Sequence, residues 1–552
     1  MSMRPLLLVS CLLLALPALA LPPPCNSGHV YEDVNGDGRF DAGDRPLPGV
    51  AVSDGWRIQR TDARGAYHLP VEDGRTVFVI KPAGYRFPAG ADGLPAFWRH
   101  VQRQPGPDLK YGGIPAAFPD CRNFALQRDP RPAGRLRGIV MADPQPRDGI
   151  QAGHFERGII APLIAAYGAQ GRASGADREG RAPATPAARA DLIDLGLTLG
   201  DVVHDDLSLY PRIKAAMAQV GVPWLHLPGN HDLDFDADSD EDSLRSYRAA
   251  FGPDTYAWEE HEAVFVLLDD VIYRPGRSPS YIGGLREQQF AFLEAYLAAV
   301  PRDRLLVLAA HIPFFDEPDK ARPSFRRGDR ERLFALLKDF PRVLLLSAHG
   351  HVQRQYWHDA DDGWQGATPL HEFNAGAACG AFWSGVAGAD GVPVSTMADG
   401  TPRGWAELVV DADRYRLRWR PADPAETGGI GLHAPRVLRQ GAYPAFGVYA
   451  NVYDGHAGTR VEYRIGEGPW QPMQRVERPD PRLLVQNVLD DLADGLRSFD
   501  RSPEAVASTH LWRATLPTGL AEGEHRIEVR AFPDHGRELR AVSAYRLQAV
   551  SP

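Results

Sequence analysis

Six apolar runs in the middle of the chain constrain the fold more than any other feature: GIVMA, LGLTLG, VPWLHLP, AVFVLLD, RLLVLAA and RVLLLSA. Several of them lack the alternation of polar and apolar residues that marks a half-exposed strand, which predicts strands buried on both faces. Helical stretches lie between the runs, and such an alternation of strand and helix is typical of an α/β domain. The pattern therefore predicts an α/β domain over residues 131–430.

Five of the runs lead directly into residue types that bind metals. These residues are Asp143, Gln145, Asp201, Asn230, His311, His349 and His351. Sites in open α/β sheets gather at the carboxyl ends of strands, so side chains from distant parts of the chain can meet in one crevice. An Asp after a strand is often only a helix cap, and no single motif suffices. Together, carboxylates that bind hard cations and imidazoles that complete their coordination predict a metal site.

The order of these motifs, DPQ, GD, GNHD, H and AHGH, resembles the signature of the calcineurin-like metallophosphoesterase superfamily. The pattern of that superfamily is D-x-H, G-D, G-N-H-[DE], H and G-H-x-H. The resemblance implies a central four-layer α/β/β/α sandwich that holds two divalent metal ions. It implies one metal on Asp143, Gln145, Asp201 and His351, and a second on Asp201, Asn230, His311 and His349, with Asp201 as the bridge.

The chain also resembles a bacterial exported subgroup in which β-type accessory domains flank the catalytic domain. This resemblance implies hydrolysis of a small-molecule phosphomonoester or phosphodiester by hydroxide generated between the two metals. Two cations about 3.5 to 4 Å apart can generate hydroxide at neutral pH and offset the charge that builds during in-line displacement.

Gln145 departs from the pattern, because most of the superfamily has His there. An amide oxygen is a neutral and harder ligand than imidazole, which favours manganese, magnesium or iron over zinc at the first site. The sequence therefore leaves the metal open among Mn, Fe, Mg and Zn.

His231 resembles the catalytic histidine of the superfamily that does not bind metal. The resemblance implies that it stabilises or protonates the leaving oxygen, with Asp232 orienting it. The alternative is a structural His231 and a capping Asp232. His204 and Asp205 are expected near the same crevice, where they would contact substrate or support the ligands. The aromatic pair Phe382 and Trp383 either lines the approach to the site or belongs to the core.

A second metal motif, DVNGDGRFDAGD, lies near the amino terminus. Its ligand positions match those of a calcium loop, with a glycine at the sixth position and Asp in place of the final Glu. The predicted structural calcium ligands are Asp33, Asn35, Asp37, the Arg39 carbonyl, Asp41 and Asp44. An acidic turn without calcium is the alternative. Short β-type runs around it predict a β-sandwich over residues 21–130.

Residues 1–20 place an apolar run before a small-residue pattern that ends at Ala20, which predicts a signal peptide and an exported, periplasmic or extracellular protein. The alternative is a lipoprotein processed at Cys11. In an oxidising compartment, Cys25 and Cys121 could form a disulfide that brackets the first domain, or remain two unrelated thiols. No later run approaches the roughly 20 apolar residues of a membrane span.

Residues 431–552 contain alternating runs such as RVEYRIG and HRIEVRAF, which predict a second β-sandwich. The formal net charge of -10 offers no basic footprint for general nucleic-acid binding. We therefore expect an exported phosphoesterase with two β-sandwiches flanking its α/β domain. The alternatives are a surface-binding protein with a degenerate phosphoesterase domain, and a metal-dependent nuclease or nucleotidase. These patterns do not specify the oligomeric state.

Overall fold

The computed structural model describes residues 26–90, 92–117, 122–168, 192–316, 323–412, 414–426, 428–444, 446–534 and 537–549. The expected signal peptide and both cysteines of the expected disulfide lie outside the described residues. Export and the Cys25–Cys121 bridge therefore stay predictions.

The amino-terminal region contains two small sheets. One has the order β2-β1-β9-β7 with β5 also paired to β1, and the other has the order β4-β3-β6-β8. Only the β1–β9 pair is parallel among the described strands of this region. The strands are β1 (Ser27–Glu32), β2 (Arg45–Pro46), β3 (Ala51–Ser53), β4 (Ile58–Arg60), β5 (Ala66–His68), β6 (Arg75–Val79), β7 (Tyr85–Arg86), β8 (Trp98–Val101) and β9 (Phe124–Arg128).

The central region contains two larger sheets. Their strands are β10 (Arg135–Met141), β11 (Leu195–Leu199), β12 (Trp224–Leu227), β13 (Tyr256–Glu259), β14 (Ala263–Leu267), β15 (Val271–Tyr273), β16 (Tyr281–Gly283), β17 (Leu305–Ala309), β18 (Val343–Ser347), β19 (Arg354–His358), β20 (Leu370–Asn374), β21 (Gly404–Asp411) and β22 (Arg414–Pro421). The orders are β12-β11-β10-β21-β22 and β13-β14-β17-β18-β20-β19, while β15 and β16 form a separate hairpin. All six apolar runs are strands. Three of the runs are the parallel strands β10, β11 and β12 of one sheet, and the other three are the parallel strands β14, β17 and β18 of the other sheet.

The described chain contains seven α-helices, the first six of them in the central region and the last in the carboxy-terminal region. They are α1 (Gly149–Phe155), α2 (Ala161–Tyr167), α3 (Tyr210–Ala218), α4 (Arg245–Phe251), α5 (Glu287–Leu297), α6 (Arg327–Leu337) and α7 (Pro481–Asp491) among the described residues. The helix α1 begins where the Asp148 carboxylate accepts hydrogen bonds from the next turn. The helix α5 buries Phe290, Leu293 and Leu297, which are spaced to form one apolar face.

The amino-terminal region shares its core with the central region. One continuous cluster of buried apolar side chains contains residues of both, and Phe78 packs edge-on against Tyr256 at a ring separation of 6.2 Å. Lys81 is buried at the same junction, with Nζ 2.9 Å from Glu260. Arg131 pairs with the other oxygen of that carboxylate at 3.0 Å. The two regions predicted as separate domains are therefore joined by a common interior.

The carboxy-terminal region has a core of its own. Its sheets have the orders β23-β25-β29-β28 and β24-β31-β30-β26-β27. The strands are β23 (Ile430–His433), β24 (Val437–Arg439), β25 (Gly447–Val452), β26 (Arg460–Ile465), β27 (Gln471–Pro472), β28 (Gln474–Pro479), β29 (Ala507–Thr515), β30 (Gly523–Phe532) and β31 (Leu539–Gln548). The helix α7 interrupts this region between β28 and β29. Across the described chain, no helix combines the length and apolar character that crossing a membrane requires.

Candidate metal centre

The seven predicted metal ligands lie just after the carboxyl ends of five parallel strands. Asp143 and Gln145 follow β10, Asp201 follows β11 and Asn230 follows β12. His311 follows β17, and His349 and His351 follow β18. Because parallel strands of one sheet end at the same edge, each sheet contributes its polar residues from one side.

Five of the seven residues have left-handed backbone conformations, which are rare for residues other than glycine. The φ angles are 45° at Asp143, 43° at Gln145, 47° at Asp201, 70° at His349 and 49° at His351. Each such conformation costs on the order of 1 to 3 kcal/mol and persists only where the surrounding structure imposes it. The strain is thus concentrated at the strand ends where the predicted ligands lie.

One group of side chains contains Asp201, Asn230, His311 and His349. The Nε2 atom of His311 lies 3.1 Å from the Asn230 Oδ1, 3.2 Å from the His349 Nδ1 and 3.4 Å from the Asp201 Oδ2. Its Nδ1 lies 2.8 Å from the Leu199 carbonyl oxygen, to which it can donate. That bond directs Nε2 toward the other three side chains, as a carbonyl behind a histidine ligand does in metal sites.

The second group contains Asp143, Gln145 and His351, and it meets the first group at Asp201. His351 Nε2 lies 3.6 Å from Asp143 Oδ1, and the Gln145 amide nitrogen lies 3.1 Å from Asp201 Oδ2. The Nδ1 of His351 lies 2.8 Å from the Gly380 carbonyl oxygen. The same oxygen of Asp201 thus borders both groups, which is the position that a bridging carboxylate requires.

The charges of these groups fit a cation. Asp143 is fully buried, and its Oδ1 accepts no hydrogen bond from the residues that the structure describes. Burial opposes protonation of His311, but the adjacent Asp201 carboxylate outweighs it and raises the pKa of His311 to about 10. Burial also raises the pKa of Asp270, beside His311, to about 7. Buried carboxylates with one unbonded oxygen need a neutralising partner, and a divalent cation supplies one.

His231 lies beside the metal groups without joining them. Its backbone N–H donates to Asp201 Oδ1 at 2.8 Å, and its ring Nδ1 lies 2.7 Å from Asp205 Oδ1. The ring stacks on His204 with centroids 4.3 Å apart. Burial lowers the pKa of His231, but the bond to Asp205 reverses this and the net shift is upward.

The carboxylate within hydrogen-bonding distance of the His231 ring is that of Asp205 rather than that of Asp232. Asp232 is buried, and its Oδ2 accepts a hydrogen bond from Gly229 N at 2.8 Å and its Oδ1 one from the Tyr210 hydroxyl at 3.0 Å. This burial raises the pKa of Asp232 to about 7. Asp232 is thus engaged in holding the loop backbone, and its expected orienting role stays a prediction. The sequence GDVVHDD contained the carboxylate that contacts the His231 ring, but no sign of which one would face it.

The two aromatic residues after Cys379 occupy different environments. Phe382 is 42% exposed and stacks on His351, with ring centroids 4.3 Å apart. Trp383 is buried and its Nε1 donates to the Pro144 carbonyl oxygen at 3.0 Å. Phe382 is thus the aromatic residue at the opening, and Trp383 belongs to the core. The buried Cys379 thiol lies 3.7 Å from His351 Nδ1.

The calcium-type loop folds its carboxylates onto its own backbone. Asp33 accepts from Gly36 N at 2.8 Å and Gly38 N at 3.1 Å, while Asp44 accepts from Val34 N at 3.0 Å. The described residues contain two groups of three or more His, Cys, Asp or Glu whose ligand atoms all lie within 4.8 Å of one another. They are Asp201 with His311 and His349, and His204 with Asp205 and His231. The loop is in neither group, so calcium binding stays a prediction.

Comparisons with known proteins identify three consecutive segments. Family models for the N terminal of calcineurin-like phosphoesterase, for calcineurin-like phosphoesterase and for the C terminal of calcineurin-like phosphoesterase match residues 34–110, 178–353 and 372–539. A search of curated proteins finds no match.

Several solved structures resemble parts of the chain at low identity. Purple acid phosphatase PPD1 from yellow lupin (Lupinus luteus) seeds is 11% identical, with 69% of this chain and 68% of that chain covered and a TM-score of 0.37. PhoD is 12% identical, with 69% and 78% covered and a TM-score of 0.36. Phosphopantetheinyl hydrolase from Mycobacterium tuberculosis is 12% identical, with 45% and 91% covered and a TM-score of 0.26. On the strength of the three family matches, which span most of its length, this chain belongs to the calcineurin-like phosphoesterases and has both the amino-terminal and the carboxy-terminal segments that accompany the catalytic domain in this family.

Proposed function

We propose that the protein is an exported phosphoesterase that hydrolyses phosphomonoesters or phosphodiesters at two divalent cations. One observation supports this most: Asp201 Oδ2 borders both groups of predicted ligands, at 3.1 Å from the Gln145 amide nitrogen and 3.4 Å from His311 Nε2. Export rests on the sequence of residues 1–20 alone.

The residues present suit two metals. Asp143, Gln145, Asp201 and His351 would hold the first, and Asp201, Asn230, His311 and His349 would hold the second. When bound, the pair would supply Lewis-acid polarisation of the phosphoryl oxygens and activation of the attacking water. The protein itself contributes the fixed geometry, since the carbonyls of Leu199 and Gly380 orient two of the histidines.

His231 would act on the leaving group. Its Nδ1 is engaged by Asp205, which leaves Nε2 as the ring atom that can hold a proton for the departing oxygen. His204, stacked against the same ring, restricts its rotation. We therefore assign Asp205 and His204 to positioning, and His231 to proton transfer.

The rival of a degenerate surface-binding domain is disfavoured by this arrangement. A domain that had lost catalysis would have no reason to retain strained backbone at five predicted ligands together with an oriented His231. The nuclease or nucleotidase alternative differs only in substrate, and a substrate screen distinguishes it.

The test compares Asp201→Asn with Asp480→Asn. Both aspartates are buried, but Asp480 begins the helix α7 in the carboxy-terminal region. We expect wild-type protein and the Asp480 variant to contain about two equivalents of metal and to hydrolyse phosphoesters. The Asp201 variant should lose metal and nearly all turnover. Full activity of a folded Asp201 variant would refute the proposal.

A further inference from the structure

The helix α7 exposes a continuous apolar face. Of its residues only Leu483 is buried. Leu492 and Leu496, just beyond the helix, are 76% and 70% exposed. The exposed apolar side chains of this stretch, which we term the apolar lobe (residues 481–499), are Leu484, Val485, Val488, Leu489, Leu492, Leu496 and Phe499. Large contiguous apolar surface on a folded protein marks an interaction site.

The apolar lobe adjoins the metal centre. The Phe499 ring lies 4.8 Å from that of His154, which in turn lies 6.0 Å from Trp383. The backbone of Gly385 donates to the Asp500 carbonyl oxygen at 3.1 Å. The lobe is therefore fastened to the same loop that carries Phe382 over His351.

A further exposed apolar side chain lies beside the metal centre. It is Phe382, which stacks on His351. Phe382 thus adds exposed apolar surface beside the metal centre, on the loop that is bonded to the end of the lobe.

The charges of the lobe identify what could cover it. Its arginines are already paired: Arg482 with Glu426, Arg497 with Asp490 at 3.0 Å, and Arg501, just beyond the lobe, with Asp491. Asp494 adds a further negative charge. Because these arginines are already paired, electrostatic attraction to anionic lipid would add little to the binding free energy of this surface. Burial of apolar side chains in a neutral or zwitterionic lipid surface needs no cation.

A second copy of the chain is a poorer fit. The helix α7 has 11 residues, so it is roughly 16 Å long and about 11 Å wide. Pairing two such helices would bury less than the about 800 Å² per partner of a stable interface.

We propose that the apolar lobe inserts into a zwitterionic lipid surface, and that the substrate is a phosphoester with long apolar chains presented there. This rests on the proposed phosphoesterase function. The phosphate group would reach the metal centre while the chains remain in the lipid. The reaction is the same hydrolysis, in which water is consumed and the alcohol and phosphate parts separate.

Binding to phosphatidylcholine vesicles tests the lobe without turnover. We compare Leu492→Ser/Leu496→Ser with the control Val437→Ser/Val542→Ser, which removes two exposed apolar residues from strands of the same region. Sedimentation with vesicles should show about tenfold weaker binding for each leucine replaced, and wild-type binding for the control. Equal binding of all three proteins, or no binding by wild type, would overturn the proposal.

Hydrolysis tests the substrate. Wild type should cleave a dioleoyl phosphatidic acid presented in phosphatidylcholine vesicles faster than its dibutyryl analogue, and the leucine variant should lose this preference. Both proteins should hydrolyse nitrophenyl phosphate equally. No hydrolysis of any phosphoester would refute the proposed function, whereas hydrolysis without chain-length preference would refute only this inference. A dimer that the leucine changes convert to monomer, with vesicle binding unaffected, would assign the lobe to self-association instead.

Discussion

Replacing Asp205 by Asn measures how much the orientation of His231 contributes to catalysis. The Asp205 Oδ1 lies 2.7 Å from His231 Nδ1, and asparagine keeps the shape while removing the charge. A hydrogen bond to a charged group is worth about 1.5 to 3 kcal/mol. Because the Asp205 side chain is about half exposed, we discount this to about 1 kcal/mol for screening by water. The expected loss in rate is about fivefold.

The size of the loss in kcat/KM depends on the leaving group of the substrate. A poor alkyl leaving group needs a proton from His231, and general acid catalysis is worth about 10² to 10⁴ fold. A nitrophenyl leaving group needs little help. We therefore expect His231→Ala to depress kcat/KM for an alkyl phosphate by about that factor, and Asp205→Asn by about fivefold. Neither change should greatly affect nitrophenyl phosphate, and both variants should retain their metals.

Asp206→Asn is the matched control. It removes the same charge from the next residue in the chain, whose side chain is hydrogen-bonded to Ser208. The Asp206 variant should have the wild-type kcat/KM for both substrates. In the His231→Ala background, Asp205→Asn should have no further effect, since the two residues act as a unit. Equal losses on the two substrates, or additive losses in the double variant, would refute a positioning role for Asp205. Loss of a metal from His231→Ala would make this histidine a ligand.

Three further predictions concern metals and stability. Gln145→His should shift metal preference toward zinc, as measured by competitive loading and metal analysis, and an unchanged preference would show that Gln145 does not coordinate. Calcium at about 100 times its Kd should stabilise the protein by about 2.7 kcal/mol, and Asp33→Ala/Asp37→Ala should abolish this rise in Tm. Glu260→Gln should lower the free energy of unfolding by about 3 to 5 kcal/mol at pH 7, because it breaks a buried ion pair. Burial raises the pKa of Glu260, but Lys81 and Arg131 together outweigh it and the net shift is downward from 4.5, so this stability is present above pH 4.5 and is lost as the pH falls below it. Urea unfolding at several pH values should show wild type and variant converging in acid.

The positions of the predicted ligands could be read from the sequence because each follows an apolar strand. Asp143 and His311 illustrate this, since the last four residues of β10 and all five residues of β17 are buried, and the end of each strand is therefore marked. The groups that orient the ligands could not be found in this way. The Leu199 carbonyl that faces His311 is a backbone atom from a distant strand, and no residue type identifies it.

The junction of the first two regions and the helix α7 were harder to predict for different reasons. Lys81 follows an ordinary β-type run, and its burial depends on Glu260, far away in the sequence. The helix α7 did have a local signal. Asp480 caps it and Pro481 occupies its first position, a pairing typical of helix starts, but the alternating strands on either side dominated the pattern.

The shared interior of the amino-terminal and central regions also decides how the protein comes apart. Because Phe78 packs on Tyr256 and Lys81 is buried against Glu260, neither region can open without exposing the other's interior. The carboxy-terminal region has a core of its own, but it is also tied to the central region, because Tyr453 belongs to the shared cluster and the buried His510 lies 3.2 Å from Asp399. Heating should therefore unfold the amino-terminal and central regions together, as one cooperative unit. A protein cut after the first region should fail to fold rather than yield a smaller catalyst.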